Sequence, residues 1–509
     1  MDSQKSRSKS FLSNTLASVL LQLVTLITGL ITPRTIIAVY GSSVNGLVSS
    51  LSSFISYISL VEAGIGSAAV YALYKPLSEN DNHGISVIVS AAKRFYYKSG
   101  WIFVFLIAVL AFLYPLVVDC EGLSNIQVAI LVFSLGASGF LDFFTLAKYR
   151  ALLTASQRNW VIQLASCIYK ILNAIVIVAL ANAGVEVEIV YIVAILPVIV
   201  RTLILTLYAR KVFPEVDYNA EEGKTYKLDQ RWDAFLLQVL GAVHTGWPTI
   251  SATFILQDLS MVSVFSVYRS VATNVQNICA AFSNGTQASF GDVIARGETE
   301  TLKRAYREFQ ILVYSLSAVV CGISFVAIQP FVDLYTADIA DVSYYYPLIG
   351  FLVILDVLLY HLKTPQGLLV ISAGHYRQTR VQVIMQTLIL IVCSIIFGLM
   401  WGVEGIMLGS ILANIYRDID LAFYIPKNVT HTKVSETFGY MLLTVVECAI
   451  TVLPFALLQP TCSGWLDWIL LCVVVGVWGI LVCLLGTYIF AREQFMGLWQ
   501  RVKNMVKHS

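Results

Sequence analysis

Long apolar stretches, broken by short polar ones, run through the whole chain. Fourteen of them reach the roughly 20 residues that an α-helix needs to cross a bilayer: 11–39, 44–73, 97–118, 126–147, 160–182, 188–209, 233–256, 260–285, 309–332, 344–371, 381–401, 404–425, 437–458 and 466–490. The second stretch is not uniformly apolar. Ser49, Ser52, Ser56 and Ser59 recur every three or four residues, so they share one helical face, and Glu62 lies just beyond them. The eighth stretch repeats the design with Ser263, Ser266, Ser270, Thr273 and Asn277, and Arg269 sits beside them. A charge in lipid is costly and turns toward protein or water. For one stripe alone, close packing through small hydroxyl residues is a sufficient account. Two stripes at matching places, each with a charge, predict that spans two and eight face each other across a hydrated central cavity.

The loops support the count of spans. Those after even-numbered spans carry the bases, among them Lys93, Arg94 and Lys98, then Lys148 and Arg150, then Lys303, Arg304 and Arg307. Those after odd-numbered spans carry acids, such as Asp119, Glu186, Asp258, Asp333, Glu404 and Asp467. The excess of Lys and Arg on one side places both termini in the cytoplasm. The longest polar connection, Phe213 to Trp232, reads as a cytoplasmic linker. The chain then divides into an N-lobe of six spans (1–212), the linker (213–232), a C-lobe of six spans (233–427), and two further spans with a cytoplasmic tail (428–509). An even number of spans per lobe makes the lobes parallel repeats. An offset of 216 residues brings Leu20-Leu21-Gln22 onto Leu236-Leu237-Gln238, and Arg201 onto Arg417. Polar residues thereby land at the same depth of corresponding helices.

Composition narrows the class. The chain is 58% hydrophobic and 13% charged, where soluble domains are about a quarter charged. It is an all-α polytopic membrane protein. The nine cysteines are scattered, with no CxxC and no Cys/His metal spacing. Cys120 and Cys462 fall in loops on the same side, where a bridge stays open. Lys5, Arg7 and Lys9 precede an apolar run too long for a signal peptide, so that run is read as a retained first helix.

Enzyme signatures are missing. Gly223-Lys224-Thr225 resembles the end of a phosphate-binding loop, but Tyr218 stands where the earlier glycine belongs. No hydrolase, kinase or metalloprotease pattern occurs, and no outer loop is large enough for a polymerase site. The informative residues are charges and polar groups inside the spans. Arg34 follows Pro33 near the end of span one, where it either lines the cavity or snorkels to the interface. His244 and Pro248 repeat the theme in span seven. Arg269 lies deeper and is assigned to the cavity. Asp142, Lys170, Arg201, Asp356, His361, Lys363 and Glu447 are further candidates, some as internal ion pairs. Arg417, Asp418 and Asp420, late in span twelve, read as interfacial.

The first 75 residues carry a pattern: Asn14, Gln22, Pro33-Arg34, Tyr40-Gly41, Asn45-Gly46-Leu47, Tyr57, Glu62-Ala63-Gly64, and Tyr74-Lys75-Pro76-Leu77. It resembles the start of Wzx-type polysaccharide (O-antigen) flippases of the multidrug/oligosaccharidyl-lipid/polysaccharide (MOP) exporter superfamily. The basic residue that many relatives place three positions before the first of these glycines is Ala38 here. The resemblance implies a two-lobed, V-shaped transporter, not an enzyme. It would move an undecaprenyl-diphosphate-linked oligosaccharide from the cytoplasmic to the outer leaflet of a bacterial inner membrane, by alternating access. The product would feed lipopolysaccharide or exopolysaccharide biosynthesis, with a polysaccharide polymerase as a partner to look for and no nucleic acid. The residues fit that cargo. Gln22, Gln238, Ser49, Ser52, Ser56, Ser266, Ser270, Asn277 and His244 offer partners for sugar hydroxyls. Arg34, Arg201 and Arg269 offer paired donors for a diphosphate. With no nucleotide motif and no cofactor, the drive falls to an ion gradient, the membrane potential or product consumption, with Glu62 and Asp142 as carriers of H+ or Na+. Two alternatives stand beside this reading: an ion-coupled multidrug exporter of the same superfamily, and a membrane-embedded glycosyltransferase or polymerase.

Overall fold

The computed structural model describes residues 2–62, 65–120, 122–226, 232–283 and 286–497. Among them the regular elements are all helices. They are α1 (Asp2–Tyr40), α2 (Ser42–Ile58), α3 (Ile65–Glu79), α4 (Asn82–Val117), α5 (Asn125–Leu141), α6 (Ala147–Ala155), α7 (Asn159–Asn182), α8 (Val187–Val193) and α9 (Pro197–Val212). Then come α10 (Trp232–Leu256), α11 (Leu259–Ser283), α12 (Gln287–Ala295), α13 (Thr299–Tyr335), α14 (Pro347–Leu362), α15 (Thr364–Ser372), α16 (Tyr376–Ile425), α17 (Val434–Leu458) and α18 (Trp465–Phe490). A π-helical turn, Asp142–Leu146, joins α5 to α6.

Eleven segments among the described residues are long and apolar enough to cross a membrane. The fourteen expected spans agree once three features are included. The segment around α16 holds two spans, because Trp401 and Gly402 leave helical geometry and Gly402 has φ 62°. The other two are α2, a short helix of 17 residues, and α11, which carries Arg269 among its polar residues. The repeat also shows in element order. The long helices α4 and α13 begin at Asn82 and Thr299, the short α6 and α15 at Ala147 and Thr364, and α7 and α16 at Asn159 and Tyr376.

The chain divides into two compact units, Met1–Ser263 and Val264–Ser509. In the first, α2 is central, with Leu47 and Leu51 buried among Val89, Phe103 and Leu131. Gly41, at φ 89°, makes the break between α1 and α2 that other residues rarely adopt. In the second, α13 is the core helix, packed by α14, α17 and α18. Its Gly322 lies against α17, where an added Cβ would stand 2.8 Å from Thr451 Cγ2. Small residues let such backbones approach closely.

The expected linker is a docked strap in its described part. Ser86 Oγ accepts from the Asp217 N–H at 2.9 Å. Ser90 Oγ accepts from the Ala220 N–H at 2.9 Å and donates to the Asp217 carbonyl at 3.2 Å. Gly223 fits only because it lacks a side chain, since its Cβ would meet Ser90 Cβ at 2.7 Å. Gly223-Lys224-Thr225 is thus a packing element against α4. All nine cysteines are free thiols.

Candidate functional site

The first unit explains the paired glycines. A Cβ on Gly46 would run into the carbonyl of Leu259, in the first turn of α11. One residue away, Asn45 Nδ2 donates to Ser263 Oγ at 2.7 Å, with both side chains buried. Gly46 is therefore the point where two helix backbones touch. Along the rest of its length α2 packs on α10. Thr253 Oγ1 donates to Ser50 Oγ at 2.8 Å, and Tyr57 Oη donates to the Val243 carbonyl at 2.7 Å. Phe54 meets Phe254 edge to face, with centroids 5.5 Å apart. The sequence stripe set α2 against α11; within the first unit its lengthwise partner is α10.

The hydroxyls of α2 fall into two classes. Ser42 and Ser50 are buried, and Ser50 also accepts from Tyr114 Oη at 2.9 Å. Ser52 and Ser56 are exposed, and Ser49 and Ser59 half-exposed. The stripe is thus an open face, while Ser50, one position off it, does the structural bonding. Gln22 and Gln238 are exposed on α1 and α10; Arg34 and His244 are half-buried. The side chain of Glu62, and Ala63-Gly64 entirely, lie outside the described residues.

Two expected site residues bind each other. Arg201 Nη2 donates to Asp142 Oδ2 at 2.8 Å, and the guanidinium lies 5.4 Å from the Tyr169 ring centroid. Arg201 was assigned to substrate and Asp142 to ion coupling; the structure makes them one ion pair, α9 to the π-turn. Asp142 opens the π-turn, a feature often found at functional sites.

In the second unit Ser266, Arg269, Ser270 and Asn277 are half-buried along α11, and Thr273 is exposed. Arg269 Nη1 stands 3.7 Å from Asp356 Oδ2 on α14. Asp356 Oδ1 accepts from Ser410 Oγ at 2.7 Å and from Asn414 Nδ2 at 2.8 Å, both on α16. Lys363 donates to Asn414 Oδ1 and lies 4.9 Å from the Tyr360 ring centroid. One turn further, Asp418 is 5% exposed and neither carboxylate oxygen has a hydrogen-bond donor among the described residues. Arg417, 6% exposed, pairs with Asp420. Arg417 and Asp418, which the sequence places late in a span, are both enclosed by protein. Position along a helix gives depth in the membrane, but not which neighbour covers the face. Asp356 and Lys363 were legible as charges within a span; Asn414 and Ser410, which join them, carried no signal beyond being polar.

Neither a protein-family model nor a curated protein matches the chain. Solved structures do. A lipid II flippase, MurJ, in an inward closed conformation aligns with TM-score 0.67, covering 94% of this chain and 99% of its own at 15% identity. The fold is that of MurJ. An inward-facing multidrug-resistance MATE transporter of the MOP superfamily aligns at TM-score 0.59 and 15% identity, covering 81% of this chain and 98% of its own. A point mutant of the Vibrio cholerae MATE transporter VcmN aligns at TM-score 0.60 and 13% identity, covering 85% and 99%. At these identities the likeness is one of fold. The MurJ match spans nearly the whole chain, whereas the MATE structures run out with 15–19% of it unmatched.

Proposed function

We propose that the chain is a flippase of the MOP superfamily that carries an undecaprenyl-diphosphate-linked oligosaccharide across the bacterial inner membrane by alternating access. The observation that supports this reading best is the difference in coverage. The lipid II flippase MurJ aligns over 94% of the chain, and the two MATE transporters over 81–85%. The open hydroxyl face of α2, with Ser49, Ser52 and Ser56, suits a sugar head. Arg269 supplies a cation for the diphosphate once it parts from Asp356, and Arg34 a second. The Wzx resemblance adds O-antigen or exopolysaccharide units as the cargo and a polymerase as the consumer.

The coupling ion, H+ or Na+, needs a carboxylate that changes partner. Glu62 and Asp142 are the sequence candidates. Asp356 and Asp418 join them, because each is buried within a span and Asp418 has no donor to stabilise its charge.

The test is translocation of a labelled lipid-linked oligosaccharide in vesicles of the purified protein. Flipping that falls at least tenfold in Arg269→Ala supports the reading. Flipping equal to wild type removes Arg269 from it, and no flipping by the wild type ends it. Drug hypersensitivity of a deletion strain with normal surface glycan favours the multidrug reading. Polymer elongation by the purified chain favours the polymerase.

A further inference from the structure

The first unit has a groove that the transport reading leaves unused. It lies between α4 and α5, has a volume of about 570 Å3, and is lined by Tyr97, Trp101, Val104, Phe133, Phe140 and Phe144. That volume is within the ordinary range of ligand sites, about 300–1,000 Å3. Its walls are apolar and aromatic, and Trp101 is 66% exposed at its mouth. The helix contact behind it is made by glycines. A Cβ on Gly100 would stand 3.0 Å from Phe144 Cζ, and one on Gly139 2.7 Å from Phe103 Cζ. The π-turn directs Phe144 onto Tyr97 and Trp101, with centroids 5.1 and 5.6 Å apart, which closes one end.

The rim is basic. Arg94, Lys98, Trp101 and Phe105 recur at helical spacing, so two cations continue the face that carries the groove's tryptophan. Arg94 and Lys98 are exposed and form no ion pair or hydrogen bond among the described residues. Lys93 beside them is committed, donating to Asn219 of the strap and lying 5.7 Å from the Tyr97 ring centroid. No Asp or Glu occurs on α4 to balance them. From Tyr97 to Ile107 the groove follows α4 for about 15 Å at 1.5 Å per residue, enough for much of one acyl chain.

We propose that this groove holds one chain of an anionic membrane phospholipid, with its phosphate against Arg94 and Lys98. A phosphate at the bilayer interface, with hydrocarbon directly beneath it, matches two free cations above an apolar slot. Basic pockets beside transmembrane helices take anionic headgroups for this reason. The groove shares no lining residue with those assigned to the cargo and stands whether or not the cargo is a lipid-linked sugar.

The test uses the full chain reconstituted in phosphatidylcholine bilayers, with phosphatidylglycerol brominated in mid-chain as the probe. The signal is the part of tryptophan quenching lost in Trp101→Phe, one of nine tryptophans. Half-quenching by brominated phosphatidylglycerol is expected at a mole fraction about fivefold or more below that of brominated phosphatidylcholine, since each base near the surface contributes about a fivefold preference. Arg94→Gln with Lys98→Gln abolishes the preference and leaves the circular dichroism and melting temperature unchanged, both side chains being exposed. Val104→Phe fills the slot and lowers Trp101 quenching by either lipid. Equal quenching by the two lipids, or a preference that survives the double variant, overturns the proposal. So does relief of quenching by one equivalent of undecaprenyl phosphate, which would make the slot a site for the polyprenyl carrier.

Discussion

Replacing Asp356 should unsettle the second unit more than any other single change to a charged residue there. Three groups converge on this carboxylate: Ser410 and Asn414 at 2.7 and 2.8 Å, and Arg269 at 3.7 Å. At an effective dielectric of about 20, a cation at that distance is attracted by about 4 kcal/mol before desolvation is charged against it. Asp356→Ala removes the anion that faces the Arg269 guanidinium, which is 18% exposed. Breaking one side of a buried pair costs about 4 kcal/mol. Asp356→Asn keeps an oxygen for Ser410 and loses only the charge, so about 2 kcal/mol is expected. Arg269→Ala with Asp356→Ala removes both charges, and the double variant should be more stable than the two single losses together imply, by about 2 kcal/mol. Thermal unfolding in detergent, read by tryptophan fluorescence at one scan rate, should show Asp356→Ala melting about 10 °C below wild type. The reasoning fails if Asp356→Ala melts within about 2 °C of wild type, or if the single effects simply add.

Gly46→Ala should lower stability by about 2 kcal/mol or more, because its Cβ would strike the Leu259 backbone and neither partner is a movable side-chain tip; the melting temperature checks it. Ser50→Ala should cost about 2 kcal/mol by stranding the buried Tyr114 Oη, while Ser52→Ala on the exposed face stays within about 0.5 kcal/mol. In the flipping assay the order should reverse once protein amount is matched, with Ser52→Ala the slower. Arg201→Ala and Asp142→Ala should each destabilise by about 3 kcal/mol, and a charge-swapped double variant should recover part of the loss; unchanged melting in either single variant would separate the two residues. Asp418→Asn, nearly the same shape and uncharged, should leave melting unchanged within about 1 kcal/mol and abolish any dependence of flipping on an imposed ion gradient.

The membrane makes most of this fold readable. A bilayer demands long apolar helices, so the spans and their alternating loop charge stand out in the sequence, and the two halves keep their element order. The site is less legible, because one residue turns a helix by about 100°. Nothing in the run Ser49-Ser50-Leu51-Ser52 says that Ser50 is inside and Ser52 outside; Tyr114 and Thr253 decide it, from elsewhere in the chain. The burial of Asp418 is hidden in the same way, since its cover comes from elsewhere in the chain. The strap at Asp217–Gly223 looked like a linker because hydrogen bonds between its backbone and the hydroxyls of Ser86 and Ser90 leave no pattern of hydrophobicity.

The reversal at Trp401 and Gly402 joins its two helices so tightly that Ser394 Oγ donates to the Ile406 carbonyl at 3.2 Å. A Cβ on Gly409 would strike the Ser394 backbone nitrogen, so the two arms are pressed together from the corner onward. A hairpin with so little slack cannot accept an epitope tag, a glycan acceptor or a reporter enzyme without prising its arms apart. Anyone mapping orientation by inserted reporters should expect silence at this corner, and should place the probe between α13 and α14, where the chain from Thr336 to Tyr346 is not helical.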